Sequence, residues 1–364
     1  MKIKIIGAGS IGNHLAHAAR RLGWAIDLVD IDPAALQRAR DEIYPTRYGD
    51  WDEEIGLYTS EKAPRGGYDL ILVGTPPDSH VSLALDALQE APKGILIEKP
   101  VCTPALESVP ELVAEAKSRK CQLFVGYDHV VGAAAERFSA LIDEGRIGAA
   151  ETLDVEFREH WGGIFAAHPW LNGPSDSYLG FWKRGGGAAG EHSHALNLWQ
   201  HFAHSLGLGR VHSVQAELDY VSGDGLDYDR LCLANLRTDG GLVGRAVQDV
   251  VTRPTRKWAR LQGSDGFIEW ICGHEPGTDA VILSETAGTR IETFSKSRPD
   301  DFIRELSHIA AVIADESVES PLAIERGLDT MMVIAAAHRS ARERRTVEID
   351  WSQGYSAKAL DSLA

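Results

Sequence analysis

The run Gly7-Ala8-Gly9-Ser10-Ile11-Gly12 stands directly after the apolar residues Ile3 to Ile6 and opens a helical pattern. Glycines at that spacing, between a strand and a helix, permit a tight turn and a close backbone approach. The helix N-terminus then aims amide groups and a positive dipole end at a pyrophosphate. Asp30 closes the second strand-like run, Ile26 to Val29, at the distance from the glycines where a carboxylate meets the hydroxyls of an adenosine ribose. A carboxylate there repels a 2′-phosphate. The next residues are Ile31 and Asp32 rather than an arginine, so NAD is expected over NADP. Asp32, just ahead of Pro33, reads as a helix cap.

Two further strand ends carry polar or titratable residues: Gly74-Thr75-Pro76-Pro77-Asp78-Ser79-His80 and Ile97-Glu98-Lys99-Pro100. Both fall on the edge where open α/β sheets bind ligands. A lysine ammonium can polarise a carbonyl, stabilise an alkoxide or relay a proton, and a histidine can exchange one near neutral pH. Lys99 and His194 supply such groups, although singly a lysine is ordinarily a solvated charge and a helical histidine a packed one. A helix running from about Gly190 would set Glu191, His194 and Asn197 on one polar face, with Trp199, Phe202 and Leu206 on another side. Glu191-x-x-His194 is also a metal-ligand spacing, but no third ligand is evident and no metal is expected. Residues 160–184, from Trp161 to Arg184, are rich in aromatic, glycine and cationic side chains and suit a substrate-binding loop and a subunit interface equally. Tyr127 lies just past the last strand of the first domain, where it can line the substrate cleft.

The elements that must position these groups change character along the chain. Ile3 to Ile6, Ile26 to Val29, Leu70 to Val73, Ile95 to Ile97 and Leu123 to Val125 alternate with helical patterns over Asn13 to Leu22, Pro33 to Ile43, Ser79 to Leu88 and Pro104 to Ser118. That order predicts an α/β doubly wound parallel sheet, a Rossmann domain, over residues 1–127. After a connecting helix over Gly132 to Glu144, strand patterns follow one another from Glu151 to Arg158 and from Val211 to Ile271. They predict, for residues 128–364, an α+β domain built on a large, mostly antiparallel open sheet. Helical patterns over Asp301 to Ala314 and Leu322 to Arg344 close the chain, and the final helix can pack back on the Rossmann domain. A chain of 364 residues exceeds what one core usually holds, in keeping with two domains.

Composition excludes other classes. Asp and Glu number 53 against 37 Lys and Arg, a formal charge of −16 that repels a phosphate backbone, so nucleic acid is not an expected partner. The basic cluster Arg339 to Arg345 lies at the end of a predicted helix, where cations complement the dipole. No apolar run reaches membrane-spanning length, and Lys2-Ile3-Lys4 lacks the regions of a signal peptide, so no membrane partner and a cytoplasmic location are expected. Cys102, Cys121, Cys232 and Cys272 show no CxxC spacing and read as reduced, buried thiols.

The G-x-G-x-x-G start, Thr75-Pro76-Pro77 with His80, Glu98-Lys99-Pro100, and Gly185-Gly186-Gly187 leading into Ser193-His194 occur in an order and spacing that resembles the glucose-fructose oxidoreductase/inositol dehydrogenase (Gfo/Idh/MocA) family. The resemblance covers almost the whole chain, including Val125-Gly126-Tyr127, Leu141 to Gly148 and the terminal helix before Val347-Glu348-Ile349. It implies cofactor contacts from Gly7, Gly9, Ser10, Ile11, Gly12, Asp30, Ile31, Thr75, Pro76, Pro77, His80, Glu98 and Lys99. It places Lys99 beside nicotinamide and substrate, His194 across from it as proton donor or acceptor, and Glu191 and Asn197 among the substrate contacts with Tyr127, Trp161 and Arg184. Related members often carry aspartates at the Glu191 and Asn197 positions, so this chain differs there by one methylene and one lost charge. The implied reaction is hydride transfer between NAD and a secondary alcohol or ketone of a sugar, cyclic polyol or sugar derivative, in a homodimer or homotetramer formed through the second sheet. Two alternatives keep the same fold: an NAD-dependent enzyme that cleaves glycosides or eliminates through transient oxidation, and a non-catalytic NAD-binding sensor. Retention of both Lys99 and His194 weighs against the sensor.

Overall fold

The computed structural model describes residues 1–166 and 168–361, which form two compact units. The first comprises Met1–Cys102, Ser108–Asp128 and Arg298–Ile324; the second comprises Thr103–Glu107, His129–Ser297 and the chain from Glu325 on.

In the first unit the order is β1 (Lys2–Ile6), α1 (Ser10–Arg21), β2 (Ala25–Asp30), α2 (Pro33–Arg38), a π-helical turn over Ala39–Ile43, and α3 (Tyr44–Tyr48). There follow β3 (Ile55–Thr59), β4 (Leu70–Val73), α4 (Pro77–Leu88), β5 (Gly94–Ile97), α5 (Val109–Arg119) and β6 (Gln122–Val125). The six strands are parallel in the order β3-β2-β1-β4-β5-β6, so the direction of winding reverses between β1 and β4. Ile3, Ile5, Leu28, Leu70 to Val73 and Ile95 to Ile97 are almost wholly buried, the continuous apolar run required of strands covered by helices on both faces. β3 lies outside the strands expected from the sequence. Its residues Ile55-Gly56-Leu57-Tyr58-Thr59 form a half-buried edge with a glycine inside it, which weakens the local strand signal.

The second unit begins with α6 (Ala133–Asp143), β7 (Ala150–Arg158), α7 (Trp161–Ala166), α8 (Gly187–Glu191) and α9 (His194–Ser205). The chain then runs through β8 (Val211–Gly223), β9 (Leu226–Thr238), β10 (Val243–Asp249), β11 (Arg256–Gly263), β12 (Gly266–Glu275), β13 (Thr278–Glu285) and β14 (Gly288–Ser295). It closes with α10 (Arg298–Ala314), α11 (Ile324–Glu343) and β15 (Val347–Glu348). One nine-stranded sheet results, in the order β14-β13-β12-β11-β7-β10-β9-β8-β15. Every pairing is antiparallel except that of β10 with β7, which is parallel. The β13–β14 hairpin also lies outside the expected strands, because β14 alternates polar residues on an exposed edge and carries little apolar pattern. α9 packs on β7 and β10, where Trp199 Nε1 donates to the Leu153 carbonyl at 2.8 Å beside the buried, stacked pair Phe138 and Phe202.

The segment that joins the parallel sheet's unit from the far end of the chain is α10, whose buried Phe302, Leu306 and Ile309 serve a helix packed against α1. The final helix, α11, belongs to the second unit from Glu325 on. Its stretch Met331 to Ala337 is buried there. No helix among the described residues is long and apolar enough to cross a membrane.

Candidate active site

At the C-terminal edge of the parallel sheet, β1 turns into α1 through Gly7, Ala8 and Gly9. Gly7 has a φ of +109°, and a Cβ on it would stand 2.6 Å from the Gly74 carbonyl oxygen; a Cβ on Gly12 would stand 1.9 Å from the Gly7 carbonyl oxygen. The fold itself demands both glycines. Gly9 differs: its φ of −77° suits any residue, and a Cβ on it would meet nothing within 4 Å. Space is therefore left open over the N-terminus of α1, where a pyrophosphate lies in folds of this type. The Asn13 side chain donates to the carbonyls of Ala8 (3.2 Å) and Gly9 (2.8 Å), fixing the loop so that the backbone of Gly9, Ser10 and Ile11 can receive the phosphates.

Asp30 ends β2 as expected. Its Oδ2 accepts the Ala8 amide at 2.8 Å and its Oδ1 accepts the Asp32 amide at 2.9 Å, so the carboxylate is held rigidly beside the glycine loop. Asp32 caps α2 by accepting from the Ala34 amide at 2.9 Å, the role read from its place before Pro33. Ile31, the neighbour of Asp30, is 85% exposed and brings no cation to a 2′-phosphate.

On the same edge, β4 leads through Thr75 and Pro76 into α4, which starts at Pro77, and β5 leads into Glu98 and Lys99. Thr75 Oγ1 meets Ser79 Oγ at 2.7 Å. His80 is wholly buried, with Nε2 2.6 Å from the Thr75 carbonyl and Nδ1 3.0 Å from the Pro100 carbonyl. Burial pushes its pKa below the usual histidine range, against the pull of those carbonyls. His80 was expected at the cofactor. Instead its ring ties the Thr-Pro-Pro turn to the Glu-Lys-Pro turn and is turned away from solvent. Glu98 is also buried, and its Oε2 accepts the Lys99 amide at 3.2 Å. Tyr127, expected to line the substrate cleft, is only 1% exposed.

In the second unit the expected continuous helix from Gly190 is broken. α8 ends at Glu191, His192 and Ser193 turn, and α9 starts at His194, so Glu191 and His194 occupy different helices. The His194 ring stacks on Phe157 of β7 (centroids 5.6 Å, 20°) and meets His129 edge-on (4.8 Å, 81°). His129 is thus a ring neighbour of His194, and nothing in its local spacing signals a partner 65 residues away. Tyr178 donates from its hydroxyl to Glu191 Oε2 at 3.2 Å. Asn197, expected on the substrate face, is buried and donates to Thr330 Oγ1 of α11 at 3.1 Å, which makes it a helix-to-helix contact. Trp161 likewise packs inward, in a cluster with Leu179, Ala188, Tyr228 and Val250, while Arg184 is exposed with its guanidinium 5.8 Å from the Phe181 ring centroid. Ala167, inside the expected loop, lies outside the described residues.

Residues 1–127 match the family described as an oxidoreductase family with an NAD-binding Rossmann fold, and residues 136–269 match the Gfo/Idh/MocA C-terminal domain. The chain belongs to the Gfo/Idh/MocA oxidoreductase family. Its first domain is an NAD-binding Rossmann fold, and the open space at Gly9 and the fixed carboxylate of Asp30 fit that cofactor. No curated protein sequence matches the chain.

Several solved structures share the fold of this Gfo/Idh/MocA member. An oxidoreductase from Agrobacterium radiobacter, in complex with NAD+, L-tartaric acid and magnesium, is 20% identical over 96% of this chain and 98% of its own, with a TM-score of 0.75. Aldose-aldose oxidoreductase from Caulobacter crescentus, complexed with glycerol, is 19% identical over 96% and 99%, with a TM-score of 0.76. The WlbA dehydrogenase from Bordetella pertussis, in complex with NADH and UDP-GlcNAcA, is 20% identical over 96% and 98%, with a TM-score of 0.70.

Proposed function

We propose that this oxidoreductase transfers a hydride between NAD and a secondary alcohol or ketone of a sugar, cyclic polyol or sugar derivative. The observation that carries the reading is the position of Lys99 directly after β5, on the sheet edge that also bears the glycine loop and Asp30. Bound NAD supplies the hydride acceptor. In this reading the Lys99 ammonium polarises the substrate oxygen, and the His194 imidazole takes or returns its proton as the carbon is oxidised or reduced. Glu191, oriented by Tyr178, and the exposed Arg184 are the polar groups assigned to substrate hydroxyl or acidic substituents. Structural neighbours complexed with L-tartaric acid, glycerol or UDP-GlcNAcA, one of them an aldose-aldose oxidoreductase, lend weight to a polyhydroxylated substrate.

The test is NADH formation with a panel of inositols, aldoses, sugar acids and amino sugars, run with NAD and with NADP, with Lys99→Ala and His194→Ala as controls. Cofactor reduction confined to wild type supports the reading. Substrate turnover without net NADH would replace it with oxidation-assisted cleavage or elimination.

The same reading includes self-association through the second sheet. Across that sheet one row runs Leu233, Val247, Glu156, Trp258 and Ile271 in register, four apolar residues to one charge, with Leu233 39% exposed and Trp258 and Ile271 half-buried. Light scattering on the eluting protein tests it: a mass of two or four chains that falls to one in Trp258→Glu is expected, and a monomeric wild type refutes it.

A further inference from the structure

The helix break before His194 is built, and the groups that build it come from the sheet beneath. Gln248 of β10 is wholly buried, and its side-chain amide reaches both sides of the break. Its NH2 group donates to the carbonyls of Ala188 (3.3 Å) and Ala189 (3.2 Å) in α8, while its Oε1 accepts the Leu196 amide (3.3 Å) in the first turn of α9. Two carbonyls on one side and an N–H on the other leave a single orientation for the amide. In the first turn of α9 the Leu196 amide has no carbonyl a full turn back within its own helix, and Gln248 satisfies it. Asp229 of β9 holds the other end of α8, accepting the Ala189 amide at 2.8 Å from a wholly buried position. It explains the third glycine of the Gly-Gly-Gly run: Gly187 has a φ of +75°, and a Cβ on it would stand 2.0 Å from Asp229 Oδ1.

We propose that Gln248 is the positioning residue for His194, clasping α8 to α9 so that the second helix starts at residue 194 with its ring against Phe157. It touches no substrate in this assignment. It acts by joining the five-residue α8 to the first turn of α9 through its side-chain amide. A displacement of about 1 Å at a proton-transfer group costs on the order of a hundredfold in rate, which sets the scale expected of its loss.

The role of Gln248 in catalysis rests on the proposed dehydrogenase reading, but its effect on the His194 ring does not, so two readouts are needed. The first uses the full chain labelled with 15N at histidine, with the His194 imidazole signals assigned through His194→Asn. Gln248→Met, similar in length but without the hydrogen bonds, is expected to shift those signals while leaving the His14 and His80 signals in place. The second readout is NADH formation on whichever panel substrate wild type oxidises: kcat falls by about tenfold to a hundredfold while KM for NAD is unchanged. If Gln248→Met does not fold, Gln248→Asn, which keeps the amide but withdraws it by one methylene, is read in the same way. Unmoved His194 signals in a folded variant overturn the proposal. Shifted signals in a chain whose wild type oxidises no panel member uphold the clasp and count against the dehydrogenase reading alone.

Discussion

Glu98 occupies the space that a side chain at position 126 would need. A Cβ on Gly126 would stand 2.8 Å from the carboxyl carbon and from both carboxylate oxygens of Glu98, the residue that accepts the Lys99 amide. Gly126→Ala is therefore expected to push Glu98 aside and move the backbone of Lys99 with it. Overpacking of this kind costs about 1–3 kcal/mol. Thermal melts should show that loss together with a fall in turnover; unchanged turnover in the folded variant would mean that Lys99 does not depend on Glu98.

The glycine loop separates fold from cofactor. Gly12→Ala, with 1.9 Å to the Gly7 carbonyl oxygen, should compromise folding, whereas Gly9→Ala should melt like wild type and lose NAD affinity by about tenfold, or about 1.4 kcal/mol. Calorimetric NAD titration of the two variants checks this. Normal NAD binding by Gly9→Ala would remove the phosphates from the place assigned to them.

We assign the preference between cofactors to Asp30. Replacing it by Ser together with Ile31→Arg exchanges a rigid carboxylate for a cation and should raise affinity for NADP while lowering that for NAD. Titration with both nucleotides decides the matter, and a variant that still favours NAD to the wild-type degree contradicts the role of Asp30.

Burial pushes the Asp229 carboxyl up from 3.8 to about 8, against the amide it accepts from Ala189. A carboxyl whose folded pKa is raised keeps its proton in the folded chain and loses it in the unfolded one between those values. Its contribution to stability therefore falls as pH rises through that window, by at most about 1.4 kcal/mol per pH unit, and is level above it. Asp229→Asn removes the slope. Urea denaturation from pH 5 to 9 should show the variant gaining on wild type as pH rises; a constant difference would mean that Asp229 ionises in the ordinary range.

Trp161 packs with Leu179, Ala188, Tyr228 and Val250, so its loss should register as stability before binding. Trp161→Ala is expected to cost about 3–5 kcal/mol, and Trp161→Phe much less with an unchanged KM for substrate. A raised KM in a Trp161→Phe protein of normal melting temperature would return this residue to the substrate site.

The sequence by itself determined the two-domain plan, the parallel sheet and its cofactor edge. Those features are written in short range: apolar runs such as Leu70 to Val73, which reappears unchanged as β4, and a glycine spacing whose meaning depends only on the strand before it and the helix after it. The end of β2 at Asp30 and the helix cap at Asp32 were legible for the same reason, since each is fixed within a few residues of its place in the chain. Tertiary structure decided what long-range partners decide. The sequence between Gly190 and Trp199 favours one helix, and the break in it depends on Gln248, about 50 positions later, competing for its backbone groups. Asn197 and Trp161 read as polar and aromatic site residues until Thr330 and Tyr228 claim them, and His80 reads as a cofactor contact until its ring is enclosed between Thr75 and Pro100. A local pattern reports which face a residue could present; whether a buried hydrogen bond or a packed ring already occupies that side chain is settled only when distant strands and helices come together.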